Sequence, residues 1–294
     1  MTVTFNGLLE TCGLRPQDVS VILHTPKPRK LHRVLPWLAS ERPDLFDAYQ
    51  SVHSTNAEST LRNRPFAAAF VSDGKGGMCF VGLYDVAAAE YLPTSEIYAD
   101  PRFAELEELY GATDTAPSVN IERTDRQIRF DLRQTEFLAD MRGRLWIAAP
   151  GGRAYVRIAA NLDAPIVRIT DEAGGYTTPP EWREFCVSGT EVRALPIRWA
   201  ERLSEWRGVY LIVDESDGAR YVGAAYGADN LFGRWRDHVA GARGITRELS
   251  KRDPENFRFS ILERVSPDMP ADEVIALEHT WMDRLHTRRY GLNA

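Results

Sequence analysis

Residues 208–223 read GVYLIVDESDGARYVG, a stretch in which two apolar runs flank a short polar connection. Branched apolar residues surround Tyr210 in the first run, and Tyr221 stands in the second. Branched and aromatic residues favour strands, and an Asp-Gly pair such as Asp217-Gly218 favours a tight turn between two strands. The stretch therefore predicts a pair of adjacent strands with one tyrosine on each.

The chain after this pair continues with helical and strand patterns in turn. Residues 230–239 have helical spacing, which places Arg234 and His238 four positions apart on one face. Residues 257–262 alternate like a third strand. A helix is predicted to begin at Pro270, and its apolar stripe contains a single carboxylate, Glu278. A carboxylate on an apolar face needs a cation, a hydrogen-bond donor or access to water.

These residues, taken in order, resemble the GIY-YIG nuclease family. Residues 208–210 correspond to the GIY tripeptide and residues 221–223 to YIG, with valine in place of isoleucine in both. The family's later positions are matched by Arg234, His238, Glu278 and Asn293. The resemblance covers residues 208–293 and implies a small three-stranded antiparallel sheet flanked by helices.

The resemblance implies hydrolysis of a nucleic-acid phosphodiester with one divalent cation, Mg²⁺ or Mn²⁺, held by Glu278. Arg234 would brace the phosphate with its planar guanidinium. Tyr210 would take the proton of the attacking water with help from His238, because a phenol with a pKa of about 10 is a poor base alone. Tyr221 would hydrogen-bond the phosphate or the water, although the sequence leaves open which tyrosine has which role. Asn293 would tie the C-terminal tail to the site.

The charge of the chain limits where nucleic acid can bind. The formal net charge is −6, so the molecule as a whole is not basic and any contact with DNA must be a local patch. Cations outnumber acids around the predicted site. The candidate DNA-binding residues are Arg220, Arg236, Arg243, Lys251 and Arg252.

The length of 294 residues allows two domains, and the mixture of predicted helices and strands indicates an α+β protein. Glycine, proline and threonine crowd residues 171–195 without a clean period. We therefore expect a mixed α/β recognition domain over residues 1–195 and an endonuclease domain over residues 196–294. In the first domain we predict helices at 31–40, 43–50 and 101–109 and strands at 66–71, 78–84, 127–132, 145–149, 155–159 and 166–170.

Two basic runs in the first domain are candidates for contact with a DNA backbone, and a solvated charged face is the alternative for each. The runs are His24, Lys27, Arg29, Lys30, His32 and Arg33, and Arg123, Arg126, Arg129 and Arg133. Three aromatic residues could cradle a flipped base or could be core residues. These are Trp37, Trp146 and Tyr155.

The sequence thus favours a DNA endonuclease of restriction type, one that could sense modified bases through its N-terminal domain. A structure-selective repair or recombination nuclease is the enzymatic alternative, and a catalytically silent DNA-binding protein is the alternative from another class. One active site per chain implies a homodimer or sequential nicking for a double-strand break.

The location of the protein is also predicted from the sequence. Its three cysteines are scattered, and it has neither an apolar run long enough to cross a bilayer nor an export signal. These features favour a cytoplasmic protein without membrane contact.

Overall fold

The computed structural model describes residues 3–72, 76–111, 126–162, 164–171, 179–241 and 247–293. Two of the cations singled out above, Arg123 and Arg243, lie outside the described residues. The chain divides into two compact units, Met1–Tyr176 and Thr177–Ala294. No helix in the described part is long and apolar enough to span a bilayer.

The N-terminal unit combines helices with one seven-stranded sheet. Its helices are α1 (Phe5–Thr11), α2 (Arg29–Glu41), α3 (Pro43–Gln50), α4 (Thr55–Arg62), α5 (Thr94–Tyr98) and α6 (Pro101–Tyr110). Its strands are β1 (Val19–His24), β2 (Phe66–Ser72), β3 (Gly77–Pro93), β4 (Arg126–Gln134), β5 (Leu145–Ala148), β6 (Val156–Ile158) and β7 (Ile166–Ile169).

The strand order of this sheet is β6-β1-β2-β3-β5-β7, with β4 paired to β3 beside that path. Strands β1 and β2 run parallel, and α2, α3 and α4 form the connection between them. Strands β2 and β3, both predicted, pair antiparallel, with Phe66 opposite Asp85 and Ser72 opposite Met78. Strand β3 runs well beyond the predicted end because its pairing with β4 covers residues 84–93, of which only Tyr84 and Asp85 also pair with β2.

Local signals account for the elements that the sequence predicts well. Helix α6 begins at residue 101 as predicted, and the side chain of its N-cap, Asp100, accepts a hydrogen bond from the backbone N–H of Arg102. Strand β1 is missing from the prediction because all six of its residues are buried and it lacks the alternation of a half-exposed strand.

The candidate recognition residues of the N-terminal unit are mostly paired or buried. Arg129 forms an ion pair with Asp100 at 2.7 Å, and Arg133 pairs with Asp131 at 2.7 Å. Trp37 and Trp146 are buried in the core, with 7% and 3% of their surface exposed. The structure therefore places both tryptophans in packing roles, and the role of this unit in target choice stays a prediction.

The C-terminal unit is built on a four-stranded sheet in the order β10-β9-β11-β8. Its strands are β8 (Cys186–Ser188), β9 (Arg207–Asp214), β10 (Arg220–Ala225) and β11 (Phe257–Val265). Its helices are α7 (Gly189–Arg193), α8 (Ile197–Glu205), α9 (Asn230–Ala240), α10 (Ala271–Arg284) and α11 (Thr287–Tyr290). The three predicted strands are present and antiparallel, and β8 adds a fourth at the edge beside β11.

Because β8 belongs to the C-terminal sheet, the boundary between the two units lies before the expected position between residues 195 and 196. Strand β8 pairs with β11 through Val187 opposite Phe259, so residues 186–188 belong to the C-terminal sheet. Phe185, Val187 and Val192 lie in the same core as Tyr210 and Trp235. This region is rich in glycine and proline, and its strand has only three residues, so the sequence shows no strand pattern here. The strand is identified by its pairing with β11.

We expect a fragment that begins at Pro179 to be more stable than one that begins at Leu195. The shorter fragment lacks Phe185, Val187 and Val192, which are 1%, 2% and 3% exposed. Each fully buried side chain of this kind stabilises the fold by about 1.5–3 kcal/mol, so the difference amounts to several kcal/mol. Urea unfolding of the two fragments measures the difference, and equal midpoints would show that β8 and α7 are dispensable.

Candidate active site

Tyr210 lies in the core of the C-terminal unit, where its ring packs against the backbone of a glycine. It is fully buried on β9, and the residue opposite it on β10 is Gly223. A Cβ at Gly223 would overlap both the Cζ and the hydroxyl oxygen of Tyr210. The glycine of the second tripeptide is therefore required by the tyrosine of the first.

The glycine of the first tripeptide has a similar cause. Strand β11 has a bulge between Ile261 and Glu263, and this bulge brings the Glu263 carbonyl oxygen against Gly208. A Cβ at Gly208 would overlap that carbonyl group. The two glycines thus allow β10 and β11 to approach β9 closely on either side of Tyr210.

His238 contacts the hydroxyl of Tyr210 from helix α9. The hydroxyl oxygen lies 2.7 Å from His238 Nε2, and His238 is only 1% exposed. Burial, together with the nearby positive charge of Arg234, lowers the pKa of His238 to about 3. The imidazole is therefore neutral at pH 7. One ring nitrogen faces Tyr210, while Nδ1 is buried without a hydrogen-bond partner among the described residues.

Tyr221 and Arg234 complete the group around Tyr210. The ring centroids of the two tyrosines are 6.4 Å apart, and Tyr221 lies 5.5 Å from the His238 ring. The positive charge of Arg234 acts on both tyrosines and partly opposes the rise of their pKa values. Burial raises the pKa of Tyr210 and of Tyr221, so both phenols are protonated at neutral pH. The guanidinium supplies the only permanent charge of these four side chains.

Glu278 lies on α10, which packs against β10 and β9. Its carboxylate is close enough to act electrostatically on both tyrosines. Burial raises the pKa of Glu278, and the charge of His279, the backbone N–H of Ala224 and two arginines, Arg234 and Arg288, only partly offset this effect. A half-buried carboxylate with a raised pKa gains from binding a cation.

The site offers one carboxylate, that of Glu278, as a ligand for a divalent cation. Within the described residues, no group of three or more histidine, cysteine, aspartate or glutamate side chains forms a metal cluster. Mg²⁺ and Mn²⁺ accept a single carboxylate because they retain several water ligands. Glu278 supplies that oxygen donor beside the tyrosine hydroxyls, so the site fits such an ion.

Asn293 holds the C-terminal tail on strand β10. Its Oδ1 accepts a hydrogen bond of 2.8 Å from the backbone N–H of Val222, and its Nδ2 donates one of 2.7 Å to the carbonyl of the same residue. The backbone N–H of Leu292 donates to the carbonyl of Arg220. The geometry therefore gives Asn293 the role of positioning the strand that carries Tyr221.

The predicted DNA-binding cations differ in what they contact. Lys251 pairs with Glu248 at 2.6 Å, and Arg236 lies 3.7 Å from Asp229. Arg252 bridges two carboxylates at the end of β9 and in the turn after it, Asp214 at 2.7 Å and Asp217 at 2.9 Å, and only 25% of its side chain is exposed. Arg252 therefore has a structural role in the described fold. Arg220 is exposed on β10.

Two residues near Glu278 are not among the candidates from the sequence. The charges of His279 and Arg288 both act on the Glu278 carboxylate. His279 adjoins Glu278 on α10, whereas Arg288 lies on α11, which reaches the site only because the chain reverses at His286 with a positive φ of 54°. The sequence signal is a short basic run, Arg288-Arg289, whose position in space depends on that turn.

Comparison with known proteins identifies the same segment of the chain. Residues 207–291 match the family model of the GIY-YIG catalytic domain. Two solved structures are similar: the catalytic domain of the homing endonuclease I-TevI, and a mutant of that catalytic domain described as an intron endonuclease. Each is 24% identical to this chain over the aligned residues. The alignment with the I-TevI domain covers 29% of this chain and 95% of that domain, with a TM-score of 0.25. The alignment with the mutant covers 30% of this chain and 92% of the mutant domain, with a TM-score of 0.26. A comparison with curated proteins finds no significant match.

The fold and the matched residues define the C-terminal unit as a nuclease domain. It is a GIY-YIG endonuclease domain that occupies residues 207–291 of this chain. The seven-stranded N-terminal unit lies outside that match.

We predict that Gly223→Ala disrupts the site while Gly227→Ala does not. The new methyl group at 223 would displace the Tyr210 ring, and overpacking of this kind costs about 1–3 kcal/mol. Gly227 has nothing within 4 Å of the added Cβ, so its variant serves as the matched control. Thermal unfolding and nuclease assays of both variants check the prediction. A Gly223→Ala protein that is as stable and active as the wild type would contradict the packing described.

We also expect His238 to make the C-terminal unit sensitive to acid. The folded pKa of about 3 lies below the ordinary value of 6.5, so stability is complete above pH 6.5 and is lost as the pH falls toward 3. Between pH 7 and pH 5 the loss from this one group is about 2 kcal/mol. Urea unfolding of the Pro179 fragment at both pH values, with and without His238→Gln, isolates the contribution. The same pH dependence in both proteins would exclude it.

Proposed function

We propose that this chain is a divalent-metal-dependent DNA endonuclease of restriction or modification-dependent type, in which the N-terminal unit selects the target. The convergence of Tyr210, Tyr221, Arg234, His238 and Glu278 in one half-buried cluster carries the proposal. Each of these side chains has a neighbour in the cluster, and together they supply a proton acceptor, a fixed positive charge and a carboxylate. Those are the groups that hydrolysis of a phosphodiester requires.

Arg234 stabilises the phosphate in the proposed mechanism. The transition state gathers negative charge on the nonbridging oxygens, and a planar guanidinium can donate two parallel hydrogen bonds to them. The charge of Arg234 acts on both Tyr210 and Tyr221, so a phosphate bound by Arg234 lies near both phenols. A lysine at this position would not reproduce the two-pronged contact.

Tyr210 and His238 move the proton of the attacking water. The water oxygen forms a bond to phosphorus as the bond from phosphorus to the sugar oxygen breaks, and the sugar oxygen leaves with the bonding electrons and takes a proton from the solvent. The water proton passes to the Tyr210 oxygen as the Tyr210 proton passes to His238 Nε2, across the 2.7 Å contact between them. This relay avoids a free phenolate, which burial makes unfavourable. Tyr221 orients the water or the phosphate.

Glu278 holds the Mg²⁺ or Mn²⁺ ion in this proposal. When bound, such an ion supplies Lewis-acid stabilisation of the charge that develops on the phosphate oxygens. The Glu278 carboxylate lies on α10, which packs against β10 and β9, and burial raises its pKa.

The remaining parts of the proposal concern the substrate and the assembly. Duplex DNA is the substrate that a restriction enzyme encounters, and one active site per chain cuts one strand at a time. A double-strand break therefore requires a second copy of the chain or sequential nicking. Digestion of modified and unmodified phage DNA, followed by mapping of the products, distinguishes a restriction role from a repair role.

We predict that Glu278→Gln abolishes cleavage in Mg²⁺ or Mn²⁺, whereas Glu273→Gln retains it. Both glutamates lie on α10, but Glu273 is exposed and serves as the matched control. Because burial disfavours the charged form of Glu278, the glutamine variant should fold at least as stably as the wild type in chelator. Arg234→Ala should lower the single-turnover rate by about a hundredfold to a thousandfold.

The assay compares single-turnover cleavage of labelled duplex DNA with and without chelator. Full activity in chelator, or undiminished cleavage by Glu278→Gln, would contradict the proposed site. A Glu278→Gln protein that fails to fold would indicate that the carboxylate is a structural partner in the core.

A further inference from the structure

The C-terminal end of the chain presents exposed cations beside the candidate active site. Residues 279–290 contain three arginines and a single acidic residue, Asp283. Tyr290 is the most exposed large hydrophobic side chain of the described part, with 71% of its surface accessible. We define the C-terminal basic surface by four exposed residues, Arg284, Arg288, Arg289 and Tyr290.

This surface is fixed to the strand that carries Tyr221. Helix α11 packs on β10, and Gly291 lies so close to the carbonyl of Arg220 that a Cβ there would be 2.5 Å from the carbonyl oxygen. The backbone N–H of Leu292 donates to the same carbonyl at 2.8 Å, and Asn293 bonds both backbone groups of Val222. The basic surface and the tyrosine cluster are therefore parts of one rigid arrangement.

The arginines of this surface keep their hydrogen-bonding edges available. Arg284 lies over the ring of Trp281 at 5.2 Å, and Arg289 lies over the ring of Tyr290 at 5.0 Å. A guanidinium that stacks on a ring still directs its N–H groups outward in its own plane. Arg288 pairs with Asp283 at 3.4 Å, but the two side chains are 48% and 71% exposed, and a solvated pair of this kind is weak.

The position of Arg288 relates the C-terminal basic surface to the candidate active site. Its charge acts on the Glu278 carboxylate, as does the charge of Arg234. Two arginines thus act on the carboxylate, one deep in the cluster and one on the exposed helix. By contrast, Arg252 is tied to Asp214 at 2.7 Å, and only 25% of its side chain is exposed. A polyanion that reaches Arg234 would pass the C-terminal basic surface.

We propose that the C-terminal basic surface binds the sugar-phosphate backbone of duplex DNA next to the bond that is cleaved. Arg288 and Arg289 contact successive phosphates, and the exposed face of Tyr290 packs against a deoxyribose. The inference rests on the proposed nuclease function and adds to it the surface that positions the substrate. These residues do not touch the reacting atoms, so they govern binding rather than the chemical step.

The test measures binding of a short fluorescein-labelled duplex to the full-length protein in chelator over a series of salt concentrations. Removal of one phosphate contact reduces the slope of log affinity against log salt by about 0.9, so Arg288→Ala combined with Arg289→Ala should reduce it by about two units. The matched control is Arg15→Ala combined with Arg202→Ala. It removes the same charge from exposed arginines that pair with Asp18 and Glu205, and it should leave the slope unchanged.

The variant Tyr290→Ala distinguishes the contribution of side-chain packing to DNA binding from the contribution of charge. It should weaken binding by a similar factor at every salt concentration, with no change of slope, because no charge is removed. In cleavage assays with Mg²⁺, the arginine double variant should raise the KM for DNA. Unchanged thermal unfolding of each variant shows that the fold is intact.

Two results would overturn the inference while leaving the nuclease function standing. One is an unchanged salt slope for the arginine double variant of a protein that cleaves DNA normally. The other is an equal decrease of slope in the Arg15 and Arg202 control, which would assign the effect to net charge. A wild-type protein that neither binds nor cleaves duplex DNA would overturn the proposed function and this surface together.

Discussion

The packing of the Tyr210 ring against the Gly223 backbone is the contact on which the C-terminal unit depends. It brings β9 and β10 together at a point where any side chain would intrude, and it directs the tyrosine hydroxyl toward His238 at 2.7 Å. The same contact fixes Tyr221 two positions earlier on β10. A core that is close-packed cannot shift one of these groups without moving the others. Fold and site are therefore specified by the same few residues, which explains why the tyrosine of the first tripeptide requires the glycine of the second.

A chain with a net charge of −6 can still present a local positive surface to DNA, and the structure shows how the cations are distributed. Many arginines lie beside carboxylates that neutralise them, as Arg252 does between Asp214 and Asp217. Such arginines stabilise turns and contribute little to the field outside the molecule. The exposed cations on α11 include Arg288, whose charge reaches Glu278. The distinction between paired and exposed cations, rather than their number, decides where a polyanion can bind.

The order of elements in the C-terminal unit could be predicted because each element carries its own signal. Alternation marks β9, β10 and β11, and helical spacing places Arg234 and His238 on one face of α9. The sequence could not show that β8 joins the sheet, since a three-residue strand has too few residues for a period and depends on pairing with β11. Nor could it show that Arg252 is held by two aspartates, because that contact joins residues 38 and 35 positions apart. In the N-terminal unit, β1 escapes prediction because its residues are buried on both faces.

The electrostatics of the cluster explain why the proposed relay would operate only with substrate present. The pKa of His238, about 3, is lowered first by burial and then by the charge of Arg234. A phosphodiester bound at Arg234 brings a negative charge that opposes this second effect, so the imidazole becomes a better proton acceptor when DNA arrives. In the proposed mechanism the arginine then has two linked actions: it binds the phosphate, and by doing so it makes His238 a better acceptor of the Tyr210 proton.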